Sequence, residues 1–499
     1  MKTLFVLLLV LIAGAEALAT NGTRMIGFHA RAAGRGGAAI GLFDNSGLMM
    51  TNPAGIAFLD APVIDVQFGL MVPRLEFSNA LNNEKGRKSY YPLPALSYAS
   101  PEPGGAIAWG IGAFTQGGMG ADFFLNHDLF RLTDGSFWKQ DYFSQLAVMQ
   151  GGPSIAWRIS PEFAVGASAH LVYSQMEFRM PYSLSPSALG GIIDSRTGLT
   201  FGDMFSAPPS AGGFGYSEVT ASAKMLDLTA FGFGGKIGLA WKPSDRTSIG
   251  LCYTSATPLT YKNGTAGMDM TAQLNDAFGR AVQGALQQDP SLTPAEAQQM
   301  VARMFTQLGI DLSAGVAANY DLEAELTFPQ SIGFGASYAF DTNFRMAVDV
   351  EWINWAEAFD VMTLNLAGGD NANINRLLGN DGTFSLEFPL AWEDATVMRV
   401  GLEYEPVQEL TLRAGGAFGT NPVPATTLFP VFPAITENHA MVGATVRLFG
   451  VLGLHAAYEH AFPNTEKSAA TNLLAREYDN STDILGEDIY HVSLSWTIR

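Results

Sequence analysis

Four arginines late in the chain, Arg345, Arg399, Arg413 and Arg447, alternate with apolar neighbours. Guanidinium groups fixed on one face could hold a carboxylate through charge-assisted hydrogen bonds. Asp349, Glu403 and Glu459 share their polar parity, and pairing across adjacent strands would make ion pairs of a wall instead. No Ser/His/Asp order, glycine-rich phosphate loop or metal-spaced His/Cys set stands out, so nothing specific points to an enzyme, a cofactor or a metal site. The one cysteine, Cys252, rules out an internal disulfide; it alternates with Leu251 and Tyr253 and reads as a packed thiol facing inward.

The other chemistry on offer is capture of apolar molecules. Thr293-Pro294-Ala295-Glu296 is a capping-box helix start, with Pro at the first helical position. Met300, Met304, Phe305 and Leu308 then follow at helical spacing. Such a stripe packs a loop onto its neighbours; methionine also adapts to irregular apolar ligands. The stretch 181–223 adds Phe201 and Phe205, and 117–142 adds Phe123, Phe124 and Phe130. So much apolar surface in outer loops suits a groove for hydrophobic compounds better than the mouth of a polar porin.

The elements that must carry these residues are strands. Tyr490, Val492, Leu494, Trp496 and Ile498 alternate with His491, Ser493, Ser495 and Thr497, so one face is apolar and the other polar. Similar segments of about ten residues recur along the chain, the signature of a transmembrane β-barrel. Tight turns fall near 101–104, 160–162, 243–245, 341–343, 406–408 and 449–451. Longer connections lie near 76–90, 117–142, 181–223, 263–324, 366–393, 421–437 and 464–486, which gives an antiparallel barrel of about fourteen strands. Met1-Lys2, an apolar run from Leu4 to Ile12 and Ala17-Leu18-Ala19 make residues 1–19 a signal peptide, with Thr20 as the expected mature start. A net charge of −19 excludes a nucleic-acid partner.

Residues 20–60 do not alternate. They are rich in Gly and Ala and carry Arg24, His29, Arg31 and Arg35, a basic segment in an acidic protein. On these residues alone the segment is either a plug in the barrel or a periplasmic tail. It closes on Asn52-Pro53-Ala54 just before the first strand. With Leu93-Pro94, Trp109-Gly110-Ile111-Gly112, Phe328-Pro329-Gln330, Trp392-Glu393-Asp394-Ala395, Arg399-Val400-Gly401, Arg413-Ala414-Gly415 and Asn421-Pro422-Val423-Pro424, the chain resembles the outer-membrane long-chain fatty acid transporter family of FadL/TodX type. The resemblance implies an N-terminal hatch at 20–60 gated by Asn52, Pro53 and Ala54, and a barrel over 61–499. It implies a ligand groove between loops 181–223 and 263–324, with Phe201, Phe205, Met300, Met304, Phe305 and Leu308 as ligand-binding candidates. It also implies that Gly27-Phe28 is the family's near-N-terminal Gly-Phe at the inner pocket. A strand kink at Gly117-Gly118 would give lateral exit. The expected function is passive, cofactor-free uptake of long-chain fatty acids or other lipophilic small molecules across the bacterial outer membrane. The alternative is a general or semi-selective porin for polar solutes. The expected surroundings are outer-membrane lipid and lipopolysaccharide, with the barrel-assembly machinery acting during biogenesis.

Overall fold

The computed structural model describes residues 22–102 and 105–498. The expected leader 1–19, Thr20, part of the first turn (103–104) and Arg499 lie outside them. Fourteen antiparallel strands form one closed sheet. They are β1 (Val63–Ser78), β2 (Tyr91–Pro101), β3 (Ile107–Leu125), β4 (Gln140–Arg158), β5 (Phe163–Leu184), β6 (Val219–Ser244), β7 (Thr247–Thr254, then Thr257–Asp269), β8 (Ala317–Phe328, then Ser331–Ala339), β9 (Phe344–Ile353, then Val361–Ala367), β10 (Phe384–Pro389, then Ala395–Val407), β11 (Leu410–Gly419), β12 (Asn438–Leu448), β13 (Leu452–Lys467) and β14 (Thr482–Thr497). Closure comes from β14 pairing with β1, from Val63 opposite Thr497 to Ser78 opposite Thr482. A closed sheet leaves no edge to desolvate in lipid, the condition for strands to span a bilayer. None of the described helices is long and apolar enough to cross a membrane.

The alternation sorts the side chains as expected. Val492, Leu494 and Trp496 face outward and are exposed on the isolated chain, whereas His491, Ser493 and Ser495 are buried. Trp109, Trp157 and Trp241 lie near the short-turn ends of β3, β4 and β6 and also face out. Tryptophans at that level suit the membrane–water interface.

The strands outrun the predicted segments. β7 to β10 each break once, and β9 breaks around the single-turn helix α6 (Trp355–Ala358; α1 to α5 are placed below). There Trp355, Phe359, Trp392 and Phe432 gather inside the wall, with Phe359 and Trp392 centroids 4.7 Å apart. Phe432 belongs to the 421–437 connection, which folds inward and buries Leu428, Phe429 and Val431 with it. A short helix α7 (Ala372–Leu378), capped by Asn371, packs Ile374 and Leu377 into the same cluster.

The long connections carry more structure. Phe201–Ser206 (α3) lies between β5 and β6, and Thr271–Gln288 (α4) and Pro294–Gln307 (α5) lie between β7 and β8. α5 starts where the capping box predicts: Thr293 Oγ1 accepts from the Glu296 amide, and Glu296 accepts from the Thr293 amide at 2.8 Å. These bonds from Thr293 hold the Glu296 carboxyl below its usual pKa. α3 has the same box, built from Thr200 and Asp203.

The N-terminal segment packs against the inward face of the sheet. It holds α1 (Ala30–Ala33), α2 (Leu48–Thr51) and a 3-10 helix, Pro53–Phe58. Polar wall residues meet it. The amides of Ala39 and Ile40 donate to Asp349 at 2.7 and 2.8 Å. Ser248 donates to the Gly41 carbonyl at 2.6 Å, and the Ala30 amide donates to Ser493. Arg35 bonds Asp44 within the segment and Glu403 on the wall.

Candidate transport path

The connections on the long-loop side form a groove of about 480 Å³ between α3 with its following turn and the α4–α5 pair, with Arg280, Gln283, Gln287 and Gln288 on its polar side. Met204, Phe214, Ala281, Met300, Val301 and Met304 line it. Met300 is 47% exposed, so a large apolar side chain stands in the open groove. Phe305 is buried against Phe278, with centroids 6.0 Å apart. Phe205 is buried against Phe214 and Tyr216, and Phe201 is buried beside them. Leu308 caps α5 and packs on the core. The predicted stripe therefore divides: Met300 and Met304 line the groove, while Phe201, Phe205 and Phe305, with Leu308 packed against them, belong to the core and do not line it. Arg280 lines the groove and donates to Asp276 at 2.9 Å, and the Tyr216 hydroxyl donates to the same carboxylate at 2.5 Å. Burial, and then this bond, raise the Tyr216 pKa.

Inside the barrel lies a cavity of about 180 Å³. Met25, Ile26, Met71, Leu93, Leu146 and Ile489 supply its apolar lining. It reaches Thr115, Gly117, Gly118 and Met119 on β3. There the sheet is irregular. Thr115 pairs with Met149 and Gly117 with Val148, which leaves Gln116 as an extra, bulged residue. On the other side, pairing with β2 ends at Ala95 opposite Phe114. β2 has a chemical reason to stop. Thr115 Oγ1 donates to the Pro94 carbonyl at 3.0 Å, so Pro94 faces β3. Pro92 shares its parity. Neither has an N–H to give the ladder on that side.

The freed edge of β3 is taken by the N-terminal segment. The Met25 amide donates to Gln116 O at 3.0 Å, and the Gly118 amide donates to Thr23 O at 2.9 Å. Arg24 lies opposite Gly117 in a one-residue antiparallel bridge. A Cβ on Gly117 would fall 2.0 Å from Thr23 O, so the backbone approach requires glycine.

A sequence model of the outer membrane protein transport family (OMPP1/FadL/TodX) matches residues 6–487. The chain belongs to that family. Solved structures agree on the fold. The Pseudomonas putida toluene transporter TodX superposes with a TM-score of 0.66 at 18% identity, covering 96% of this chain and 100% of its own. A Pseudomonas aeruginosa FadL homologue gives 0.68 at 18% identity with the same coverage, 96% and 100%. The Ralstonia pickettii toluene transporter TbuX gives 0.62 at 16%, covering 95% and 99%. No curated protein sequence matches the chain. The protein is thus a multi-pass β-barrel of the bacterial outer membrane, from a family of transport proteins.

Within this family member, Asn52-Pro53-Ala54 sits at a crossing of segment and wall. Asn52 Nδ2 donates to Ile40 O and to Leu239 O on β6, both at 2.9 Å. Its Oδ1 accepts from the Ala54 amide, and Pro53 opens the 3-10 helix. Phe28 lines a second, polar void of about 20 Å³ with Arg24, Lys236, Glu351 and Arg399, and is not among the residues lining the larger cavity. Cys252 borders the same small void and faces inward.

The expected wall pairs form in part. Arg413 and Arg345 both reach Glu403, at 2.7 and 3.1 Å. Arg399 pairs with Glu351 at 2.8 Å, not Asp349, because Asp349 serves the N-terminal segment's amides. Arg447 pairs with Glu405 near the β10–β11 turn. Glu459 takes His439 and His491 as partners. Sequence reasoning also missed a cradle of inward glycines. A Cβ on Gly238 would meet Asn52 Oδ1 at 2.1 Å, on Gly250 Ile40 O at 1.9 Å, and on Gly401 Arg35 O at 2.3 Å. The available signal was glycine at inward parity in otherwise β-forming segments.

Proposed function

We propose that this protein is a passive channel for hydrophobic small molecules, long-chain fatty acids or other lipophiles, with residues 20–60 as its hatch. The observation that carries the reading is the apolar cavity set against the β2–β3 seam, with the hatch backbone on the seam's free edge. A lipophile would enter the outer groove, pass to the cavity, and leave sideways once Thr23–Met25 release β3. Each buried CH₂ contributes about 0.8 kcal/mol, so a long apolar body partitions into such sites without an energy source. A lateral route keeps it out of a polar lumen. TodX and TbuX are toluene transporters by name, which supports a hydrophobic cargo for the same architecture.

Mass spectrometry of small molecules extracted from protein purified in mild detergent tests this reading. Fatty acids or hydrocarbons should be enriched over a hatch-deleted control. An empty barrel with steady single-channel conductance would favour the porin. The groove makes a separate prediction. Replacing Met300 and Met304 with Asn should weaken capture of an apolar probe about tenfold, because two apolar side chains of the lining are lost. Phe305→Asn should instead loosen the α4–α5 pair, visible as faster proteolysis of 270–316. Equal affinity in the Met300/Met304 variant would return those residues to simple packing.

A further inference from the structure

The two spaces inside the barrel differ in charge. The larger has Glu459, Glu487 and His439 at its polar end. The smaller, the void of about 20 Å³, is bordered by three cations, Arg24, Lys236 and Arg399, and by one carboxylate, Glu351. Both oxygens of that carboxylate are engaged, Oε1 by Arg24 Nη2 at 2.9 Å and Oε2 by Arg399 Nη2 at 2.8 Å. The next carboxylate along, Asp349, stands opposite Arg399 in the ladder and accepts from the Ala39 and Ile40 amides. Three cations thus meet two carboxylates, and one positive charge is left over in a poorly screened interior.

Lys236 lies on β6, is 4% exposed, and its Nζ donates to Thr254 Oγ1 at 2.7 Å. That bond takes one of its three N–H groups; the other two have no acceptor among the described residues. The Arg24 side chain is 7% exposed, and its second terminal nitrogen, Nη1, is buried without a hydrogen-bond partner. The Thr51 hydroxyl, also on the lining, has no partner either. The void therefore has donors to spare, while its carboxylate is already taken. Its size admits one water-sized body. A water would bring two donors of its own to a site short of acceptors, whereas an anion only accepts.

We propose that this void binds a small monovalent inorganic anion, a halide such as chloride, between the N-terminal segment and the wall. Lys236 Nζ makes the direct contact, and a turn of the Arg24 guanidinium about its bond to Glu351 brings Nη1 onto the ion. One negative charge cancels the surplus. The same volume leaves no room for phosphate, sulfate or a carboxylate with its tail. Arg24 stands between Thr23 and Met25, whose backbone groups hold the segment on β3. An ion that ties Arg24 to Lys236 ties that stretch to β6 as well, and strengthens its seat. The ion site goes beyond the transport reading and does not depend on it.

Crystals of the full protein grown in sodium bromide test the site directly. A bromine anomalous peak should lie in the void in contact with Lys236 Nζ, and Lys236→Met should remove it. Hydrogen exchange in mild detergent reads the effect on the seat. The amides of Thr23–Met25 and Gln116–Gly118 should exchange at least about fivefold more slowly in sodium chloride than in sodium gluconate of equal ionic strength, because gluconate is too large to enter. Lys236→Met should abolish that difference. The bromide measurement on the unaltered protein needs no variant, so it decides the matter even if Lys236→Met does not fold. Added dodecanoate should leave the bromide in place. A void holding water alone, with no anomalous signal, overturns the proposal. Displacement of bromide by dodecanoate overturns the inorganic assignment and gives the void to a cargo head group. A peak that survives Lys236→Met overturns the role of Lys236, and equal exchange in the two salts overturns the ion's hold on the seat. Whether a lipophile is carried is decided separately, by the extraction experiment above.

Discussion

Removing Asn52, Pro53 and Ala54 is expected to abolish uptake of a labelled lipophile while leaving a folded, heat-modifiable barrel. The expectation follows from what Asn52 joins. One carboxamide ties a turn of the N-terminal segment, through Ile40 O, to the wall, through Leu239 O, and its oxygen caps the Pro53–Phe58 helix. The glycines at 238 and 250 leave no room for a shifted path, since each backbone already lies against Asn52 or Ile40. With the clamp gone, the basic segment has no fixed register against Asp349 and Glu403, and Thr23–Met25 lose their place on β3. Asn52→Ala is the graded version. It strands the buried Ile40 carbonyl at a cost of about 1–3 kcal/mol, which shifts the ratio of seated to released segment by about 5- to 150-fold. The barrel ladder does not pass through these residues, so its heat modifiability should persist. Uptake at the level of the intact protein in the deletion would remove the gating role from this motif.

The strand pattern was legible because it obeys a local rule. Lipid on one side and polar contacts on the other force period-two alternation, and His491, Ser493 and Ser495 against Val492, Leu494 and Trp496 display it without knowledge of any neighbour. The α5 start was legible for the same reason, since a capping box is complete within four residues. Partner choice was not. Whether Arg399 meets Asp349 or Glu351 depends on a competitor, the Ala39 and Ile40 amides, more than 300 residues away in sequence. The division of Met300 from Phe305 was equally hidden, because one helical stripe can face both a groove and the buried core. His439, Glu459 and Glu487 come together only through the β12–β13–β14 register, and nothing in their spacing distinguishes them from other inward polar residues. Gly117-Gly118 stood out in the sequence. The two prolines opposite, which explain why the ladder ends, acquire meaning only once β2 is known to face β3.

Those prolines set up the second large effect. Restoring the ladder by deleting Gln116 and replacing Pro92 and Pro94 with Thr should close the seam. Deletion removes the bulge between Thr115 and Gly117, and the replacements return two N–H donors to the β2 edge. β3 would then bond β2 instead of Thr23 and Met25, so the strand edge and the hatch compete for the same groups. Uptake should fall at least about tenfold. Binding should survive, because the apolar lining by Met71, Leu146 and Ile489 is untouched, and the extracted protein should still carry its lipophile. Loss of transport with retained cargo is specific to a blocked exit: a misfolded barrel would lose both, and a polar porin would change neither. Unchanged uptake in the closed-seam variant would move the exit to another part of the wall or to the turn-side mouth. It would also leave the pairing of Thr23 and Met25 with β3 as a purely structural anchor.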